Sequence, residues 1–369
     1  MNRAVTLERI GELSNSNATA TRIDATATAA AAAPSAGHAL VRVRRVGLCG
    51  TDFHAYRGRQ PFVTYPRILG HELGVEIAAL PPASAAAAGA AVADGEGRLA
   101  LAVAVGDRCA VEPYLNCGTC HACRAGRTNC CVSLRVLGVH CDGGLQEWLE
   151  LPLAKLHPSR TLSFDELALV EPLSIGAHAV RRAQLSPGEL VLVIGSGPIG
   201  YATMAAACAA GARVWAMDVS DDRLQFCATR LPLAGARLIR EDVVQELAAI
   251  ADALHHESPT AVFDATGNAT SMTKAFEVMP AGGRLIFVGL VRDDITFNDP
   301  EFHRRELTLF ASRNATAEDF RQVMTWMETG RLNASALVTH RVPFERLVED
   351  FHTLLAPDAR VFKTLVEFS

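Results

Sequence analysis

No run of eighteen apolar residues occurs in the 369-residue chain, and its Ala-rich stretches are too weakly hydrophobic to cross a bilayer. A basic surplus is also missing. The formal charge is −5 and the isoelectric point is near 6.2, so nucleic acid is not an expected partner. The opening, MNRAVTLERIGEL, lacks the apolar core and small-residue cleavage site of a secretory signal. A cytoplasmic location is therefore expected, where thiols stay reduced and the ten cysteines do not serve as a disulfide framework. What is present, 49% hydrophobic and 20% charged residues over this length, fits a globular protein of two domains.

Half of the cysteines crowd into CGTCHACRAGRTNCC, residues 117–131. Cys117, Cys120, Cys123 and Cys131 follow C-x2-C-x2-C-x7-C, with Gly118 and Gly126 between them. Four thiolates on a short glycine-containing lobe can close a tetrahedron around Zn²⁺. A reactive dithiol or an iron–sulfur cluster also uses compact cysteine runs. The ferredoxin-type run carries proline after its fourth cysteine, and Val132 stands there instead. Structural zinc is the expectation, with Cys130 a bystander. Four sulfurs leave no open position on the ion, so the chemistry must lie elsewhere.

Two stretches of low complexity, 17–37 and 81–97, read as surface loops or insertions. Residues 38–160 mix short alternating runs with Gly, Pro and Cys, the texture of an irregular β-rich domain. From residue 189 the texture changes. ELVLVIGSGPIGYATMAAACAAGARVWAMDVS reads as strand, glycine turn, helix and second strand. Strand candidates follow in AVFDATG, GRLIFVGL and LTLFAS, and alternating β and α units predict a doubly wound parallel sheet. The last sixty residues hold two helical patterns, AEDFRQVMTWMETG and FERLVEDFHTLL, and a terminal strand, VFKTLVEF, that could complete the first domain.

Gly195, Gly197 and Gly200 form G-x-G-x-x-G between a predicted strand and helix, the arrangement that lets backbone approach a pyrophosphate. Asp218 closes the next strand, where a carboxylate accepts ribose hydroxyls and repels a 2′-phosphate. NAD is the expected cofactor, although Arg223 nearby could accommodate NADP.

Upstream lie GLCGTDFH, with Cys49, Thr51 and His54, and GHE, with His71 and Glu72; EPLSIGAH begins with Glu171. Singly, each residue has an ordinary structural explanation: a small core thiol, a satisfied histidine, a surface carboxylate, a turn threonine. Cys49, His71 and Glu171 could supply S, N and O ligands to a zinc that keeps an open position. Together with the cysteine lobe, GSGPIG, Asp218 and FVGL, and in this order, these segments resemble the zinc-containing medium-chain alcohol dehydrogenase/reductase superfamily across nearly the whole chain.

The resemblance implies an α/β protein with a GroES-like β-rich catalytic domain over 1–172, including the zinc lobe 112–135 and completed by 312–369. It implies a Rossmann NAD-binding domain over 173–311, with the catalytic zinc in the cleft between the two. Two zinc ions per chain are expected. Glu171 stands where liver-type enzymes carry cysteine, as in polyol and threonine dehydrogenases, and Glu72 can enter the coordination sphere. Which of the two ligates the resting metal stays open. Thr51 and His54 match the family's proton-relay positions. Pro198, Ile199, Thr266, Val288, Gly289 and Leu290 match cofactor-contact positions.

The implied chemistry is hydride transfer from a zinc-acidified secondary alcohol to NAD⁺. Several segments, RQPFVTYPRILGHE and DPEFHRRE among them, are most similar to enzymes acting on sugar acids. Arg57, Arg59, Arg67 and Arg313 are candidates to bind a substrate carboxylate. A polyol, another aldonate or threonine are the alternative substrates, and homodimers or homotetramers the expected assembly. The rival of a different class is a nucleotide-binding protein without catalysis, which loss of Cys49, His71 or Thr51 would have favoured.

Overall fold

The computed structural model describes residues 2–18, 34–81, 103–240, 244–246, 257–356 and 359–369. Most of both Ala-rich stretches expected as surface insertions, residues 19–33 and 82–97, lies outside the described residues. By packing, the chain divides into two compact units. The first comprises Met1–Glu171, Thr316–Met324 and Asn333–Ser369; the second comprises Pro172–Ala315 and Thr325–Leu332.

Among the described residues the first unit holds ten strands in its N-terminal part: β1 (Arg3–Arg9), β2 (Glu12–Asn17), β3 (His38–Leu48), β4 (Arg67–Ile68), β5 (Glu72–Ala79), β6 (Arg108–Val111), β7 (Tyr114–Leu115), β8 (Arg135–Val136), β9 (Trp148–Pro152) and β10 (Leu156–Ser159). The second unit contributes β11 (Leu190–Ile194), β12 (Arg213–Asp218), β13 (Gly235–Leu238), β14 (Ala261–Asp264), β15 (Arg284–Phe287) and β16 (Thr308–Ala311). The chain returns to the first unit for β17 (His340–Pro343) and β18 (Thr364–Glu367).

In the first unit β10, β6, β5, β3, β18 and β17 pair in that order, and β9 also pairs with β3. Around the middle of β3 burial alternates: Val41 and Val43 are inaccessible and share a core cluster with Leu73, Val75 and Ile77 of β5, while Arg42 and Arg44 stay partly exposed. Each such burial stabilises by about 1.5–3 kcal/mol relative to exposure. The registers that matter for function are Gly47↔Glu72 between β3 and β5, and Thr364↔Leu48 between β18 and β3. They bring the end of β3, the start of β5 and the start of β18 to one place. This irregular, mainly antiparallel arrangement fits the β-rich first domain expected from the sequence.

In the second unit six strands pair in parallel in the order β13-β12-β11-β14-β15-β16. Numbered within the unit this is 3-2-1-4-5-6, the doubly wound Rossmann order. Every residue of β11 (LVLVI) is buried, as expected of a parallel strand covered on both faces. The chain order reverses between β11 and β14, and ligands of such sheets bind beyond the strand C-termini at that point. Gly195 directly follows β11, and Asp218 and Asp264 end β12 and β14.

One helical pattern resolves differently from its sequence expectation. Residues 344–355 form turns at Phe344–Arg346, Leu347–Asp350 and Thr353–Leu355 rather than one helix. Phe344, Leu347, Phe351 and Leu354 keep helical spacing and are all buried. The core therefore anchors each turn separately, and tight i→i+3 turns flank the single short α-helical segment.

Candidate active site and metal centres

Cys49 directly follows β3 and caps the helix α1 (Gly50–Tyr56), while His71 precedes β5. Because Gly47 faces Glu72 across the ladder, the next residues on each strand converge. One ligand atom each from Cys49, His71 and Glu72 lie within 4.8 Å of one another. Gly47 is required for this. A Cβ on it would stand 2.0 Å from Glu72 Oε2, so only glycine leaves room for the carboxylate.

Glu72 is fully buried, and Lys363 Nζ donates to both of its oxygens, at 2.6 and 2.8 Å. Lys363 immediately precedes β18, whose register with β3 delivers it there, and also donates to the Leu48 carbonyl at 3.3 Å. Burial alone would lower the Lys363 pKa, but the Glu72 and Cys49 charges outweigh it and hold the ammonium above its ordinary value. Asp52, 1% exposed, accepts from the Cys49 N–H at 2.8 Å and the Gly70 N–H at 3.2 Å. Its Oδ1 lies 3.8 Å from His71 Nδ1, a buried nitrogen without a hydrogen-bond partner among the described residues. Burial pulls the His71 pKa down, yet Asp52 and Cys49 raise it well above the usual histidine range. A histidine binds metal through its neutral ring, so metal affinity at His71 rises with pH.

Glu171 stands outside the mutual 4.8 Å set but senses the charges of both His71 and Glu72. Its Oε1 accepts a short hydrogen bond from the buried Tyr114 hydroxyl. Burial, then the Glu171 charge, push the Tyr114 hydroxyl well above the ordinary tyrosine range, so it stays a donor. The S, N and O donors of Cys49, His71 and a carboxylate suit zinc with an open position. Thr51 is half-buried and His54 exposed, three residues apart on one side of α1.

Sequence reasoning missed Asp52, Tyr114, Lys363 and Gly47. Asp52 carried a faint signal, since an acidic residue three after a helix cap commonly reaches back to the cap N–H. Lys363 carried only the oddity of being one of three lysines in the chain. Of the arginines considered for a carboxylate, Arg67 pairs with Asp142 at 3.1 Å and donates to Thr64 at 2.9 Å. Arg57 donates to the Leu355 carbonyl at 3.5 Å. Arg59 lies in the same unit and Arg313 in the other.

The four lobe cysteines, Cys117, Cys120, Cys123 and Cys131, also bring their sulfurs within 4.8 Å. Backbone N–H groups of Cys117 and Cys120 donate to the sulfurs of Cys131 and Cys117, each at 3.3 Å. Hydrogen bonds led by Thr119 bring the Cys117 thiol down to about 5, whereas burial pushes Cys123 up to about 11. Four soft donors with amide support fit a structural zinc.

In the second unit the glycines divide their labour visibly. Gly195 adopts φ +99°, which disfavours any side chain, and a Cβ on Gly200 would meet the Gly195 carbonyl oxygen. Gly197 is open: its nearest neighbour would be Arg223 Nη1 at 3.9 Å. That vacant side of the turn, at the cap of the helix Pro198–Ala209, is where a phosphate can approach backbone N–H groups. Asp218 is pinned by the N–H groups of Ser196 and Ser220, the latter at 2.7 Å, and its oxygens keep further acceptor capacity. Thr266 is held by Asp264 through its N–H at 2.9 Å and hydroxyl at 2.6 Å. Val288 and Gly289 both donate backbone N–H groups to the Asp264 carbonyl, and Leu290 is exposed. Among the described residues no helix is long and apolar enough to cross a membrane.

Comparison with known proteins agrees with this architecture. The family model described as "Alcohol dehydrogenase GroES-like domain" matches residues 35–161, and that described as "Zinc-binding dehydrogenase" matches residues 198–329. L-galactonate-5-dehydrogenase of Escherichia coli K12 is 41% identical over 336 residues, covering 91% of this chain and 93% of that protein. A solved alcohol dehydrogenase, RspB from E. coli CFT073 complexed with NADH, superposes with TM-score 0.82 at 26% identity, covering 100% of this chain and 99% of its own. A zinc-binding dehydrogenase structure from Sinorhizobium meliloti bound to NADP gives TM-score 0.81 at 25% identity, with coverage of 100% and 99%.

Proposed function

The chain belongs to the zinc-binding alcohol dehydrogenase family, and from that premise we propose that it oxidises a secondary hydroxyl of a sugar acid, L-galactonate to D-tagaturonate, with NAD⁺ as acceptor. The observation that carries this reading is the convergence of Cys49, His71 and Glu72, in a chain 41% identical to a galactonate dehydrogenase. Cys49, His71 and either Glu72 or Glu171 would hold the catalytic zinc; Cys117, Cys120, Cys123 and Cys131 would hold a structural one. Bound zinc supplies Lewis acidity to a substrate hydroxyl, and bound NAD⁺ accepts the hydride from the carbon that carries it.

The chain's own residues move the proton. Thr51 takes it from the hydroxyl, and His54, exposed to water, releases it. Asp52 faces the His71 ring at 3.8 Å and adds a negative charge behind the metal site. Asp218 favours NAD over NADP by excluding a 2′-phosphate; Arg223 beside Gly197 is the group that could oppose it. Arg57 and Arg59, which follow the relay helix, are the candidates for the substrate carboxylate. The proposal includes a cytoplasmic homodimer or homotetramer, on the family resemblance.

The deciding experiment compares kcat/KM for NADH formation on L-galactonate, sorbitol, L-threonine and a neutral secondary alcohol of similar size. L-galactonate should exceed the others by tenfold or more, about 1.4 kcal/mol of transition-state discrimination. Equal turnover of the neutral alcohol would remove the carboxylate from the reading. Preference for sorbitol or threonine would move the substrate to the polyol or amino-alcohol class.

A further inference from the structure

Of the three buried carboxylates near Cys49 and His71, Glu72 and Glu171 are tied in unequal ways. Both oxygens of Glu72 are gripped by a charged ammonium, Lys363. Among the described residues Glu171 accepts through Oε1 from the neutral Tyr114 hydroxyl, which leaves Oε2. Charge-assisted hydrogen bonds are roughly twice as strong as neutral ones, so Glu171 is the carboxylate more readily brought onto a cation. The ring that holds it cannot swing aside. Tyr114 is 2% exposed and lies edge-on to Phe320, with ring centroids 6.3 Å apart and planes at 82°. Phe320 is itself fully buried and stacked on His157 at 5.1 Å. His157 Nε2 stands 3.5 Å from Glu112 Oε2, and Glu112 is paired with the buried Lys155.

We propose that Tyr114 is a positioning residue that holds Glu171 at the edge of the Cys49–His71 cluster as the carboxylate available to the metal, while Lys363 retains Glu72. The inference rests on the catalytic-zinc reading and adds to it a residue that the sequence did not single out. Tyr114→Phe keeps the ring and its packing and removes only the donor. Loss of an outer-shell partner typically costs 10–100-fold in metal affinity.

The test is zinc binding measured by chelator competition on metal-free protein, with thermal unfolding of the same samples. Tyr114→Phe should weaken the active-site ion by about 10–100-fold and leave the cysteine-lobe ion unchanged. Phe320→Leu, which frees the ring without touching the hydroxyl, should weaken the same ion by a smaller factor. Unchanged affinity in Tyr114→Phe overturns the proposal, as does equal weakening of both ions, which marks a general loss of structure. Cys49→Ser separates this from the underlying reading. If that variant keeps both ions, the catalytic-zinc assignment fails; if it loses one while Tyr114→Phe loses none, the positioning role alone fails.

Discussion

A methyl group on Gly47 would sit 2.0 Å from Glu72 Oε2 and 2.9 Å from Glu72 Cβ, closer than carbon and oxygen can approach. The Oε2 atom ends a flexible side chain, and in another setting it would rotate away at small cost. Here it is fixed, because Lys363 Nζ holds both oxygens at 2.6 and 2.8 Å and both residues are almost wholly buried. Gly47→Ala should therefore drive the carboxylate off its partner. Breaking a buried pair costs about 3–5 kcal/mol, since an unpaired charge is left in the interior. At about 2–4 °C per kcal/mol for a unit of this size, the unfolding midpoint of chelator-treated protein should fall by roughly 6–20 °C. The reasoning is checked by a cycle with Glu72→Ala. With the carboxylate gone, only the contact to Cβ persists, so the coupling should be about 2 kcal/mol or more. Costs that add to within about 0.5 kcal/mol would show that Gly47 is needed for some other reason. The pair itself should be insensitive to ordinary alkaline conditions. The folded pKa of Lys363 is raised, so its contribution is complete below the normal lysine value of about 10.4 and fades only as pH climbs through the higher folded value.

Purified protein should carry two zinc ions per chain by elemental analysis; Cys120→Ser should remove the lobe ion and destabilise the fold, and one ion in active wild-type enzyme would refute the assignment. Asp218→Ala should narrow the preference for NAD⁺ over NADP⁺ by about tenfold or more, the worth of one lost hydrogen bond to ribose plus relieved repulsion. A wild-type preference for NADP⁺ would show that Arg223 dominates.

The fold class was legible because its signals are local. The glycine turn between a strand and a helix, with Asp218 one βα unit later, spells a Rossmann half within about thirty residues. The cysteine lobe likewise declares itself by spacing alone. The environment of Cys49 was not legible in that way. Lys363 reaches Glu72 only through two strand registers, and Tyr114 meets Glu171 across 57 positions of chain. No periodicity encodes such meetings. A buried lysine beside a terminal strand reads like any other residue until the sheet is assembled. Glycine 47 shows the same limit from the opposite side, for its necessity is a property of the neighbouring strand rather than of its own segment.

The Glu72–Lys363 pair spans 291 positions of chain, and this has a consequence for the order of events during synthesis. At about 5–20 residues per second, Glu72 emerges from the ribosome roughly 15–60 s before its counter-ion exists. Strand β5 can pair with β3 in that interval, but closing the ladder buries a carboxylate with nothing to neutralise it. The nascent domain must therefore leave this corner open to water, or hold it with a captured cation, until β18 arrives. Maturation of this corner thus becomes a late step, tied to long-range closure rather than to local folding.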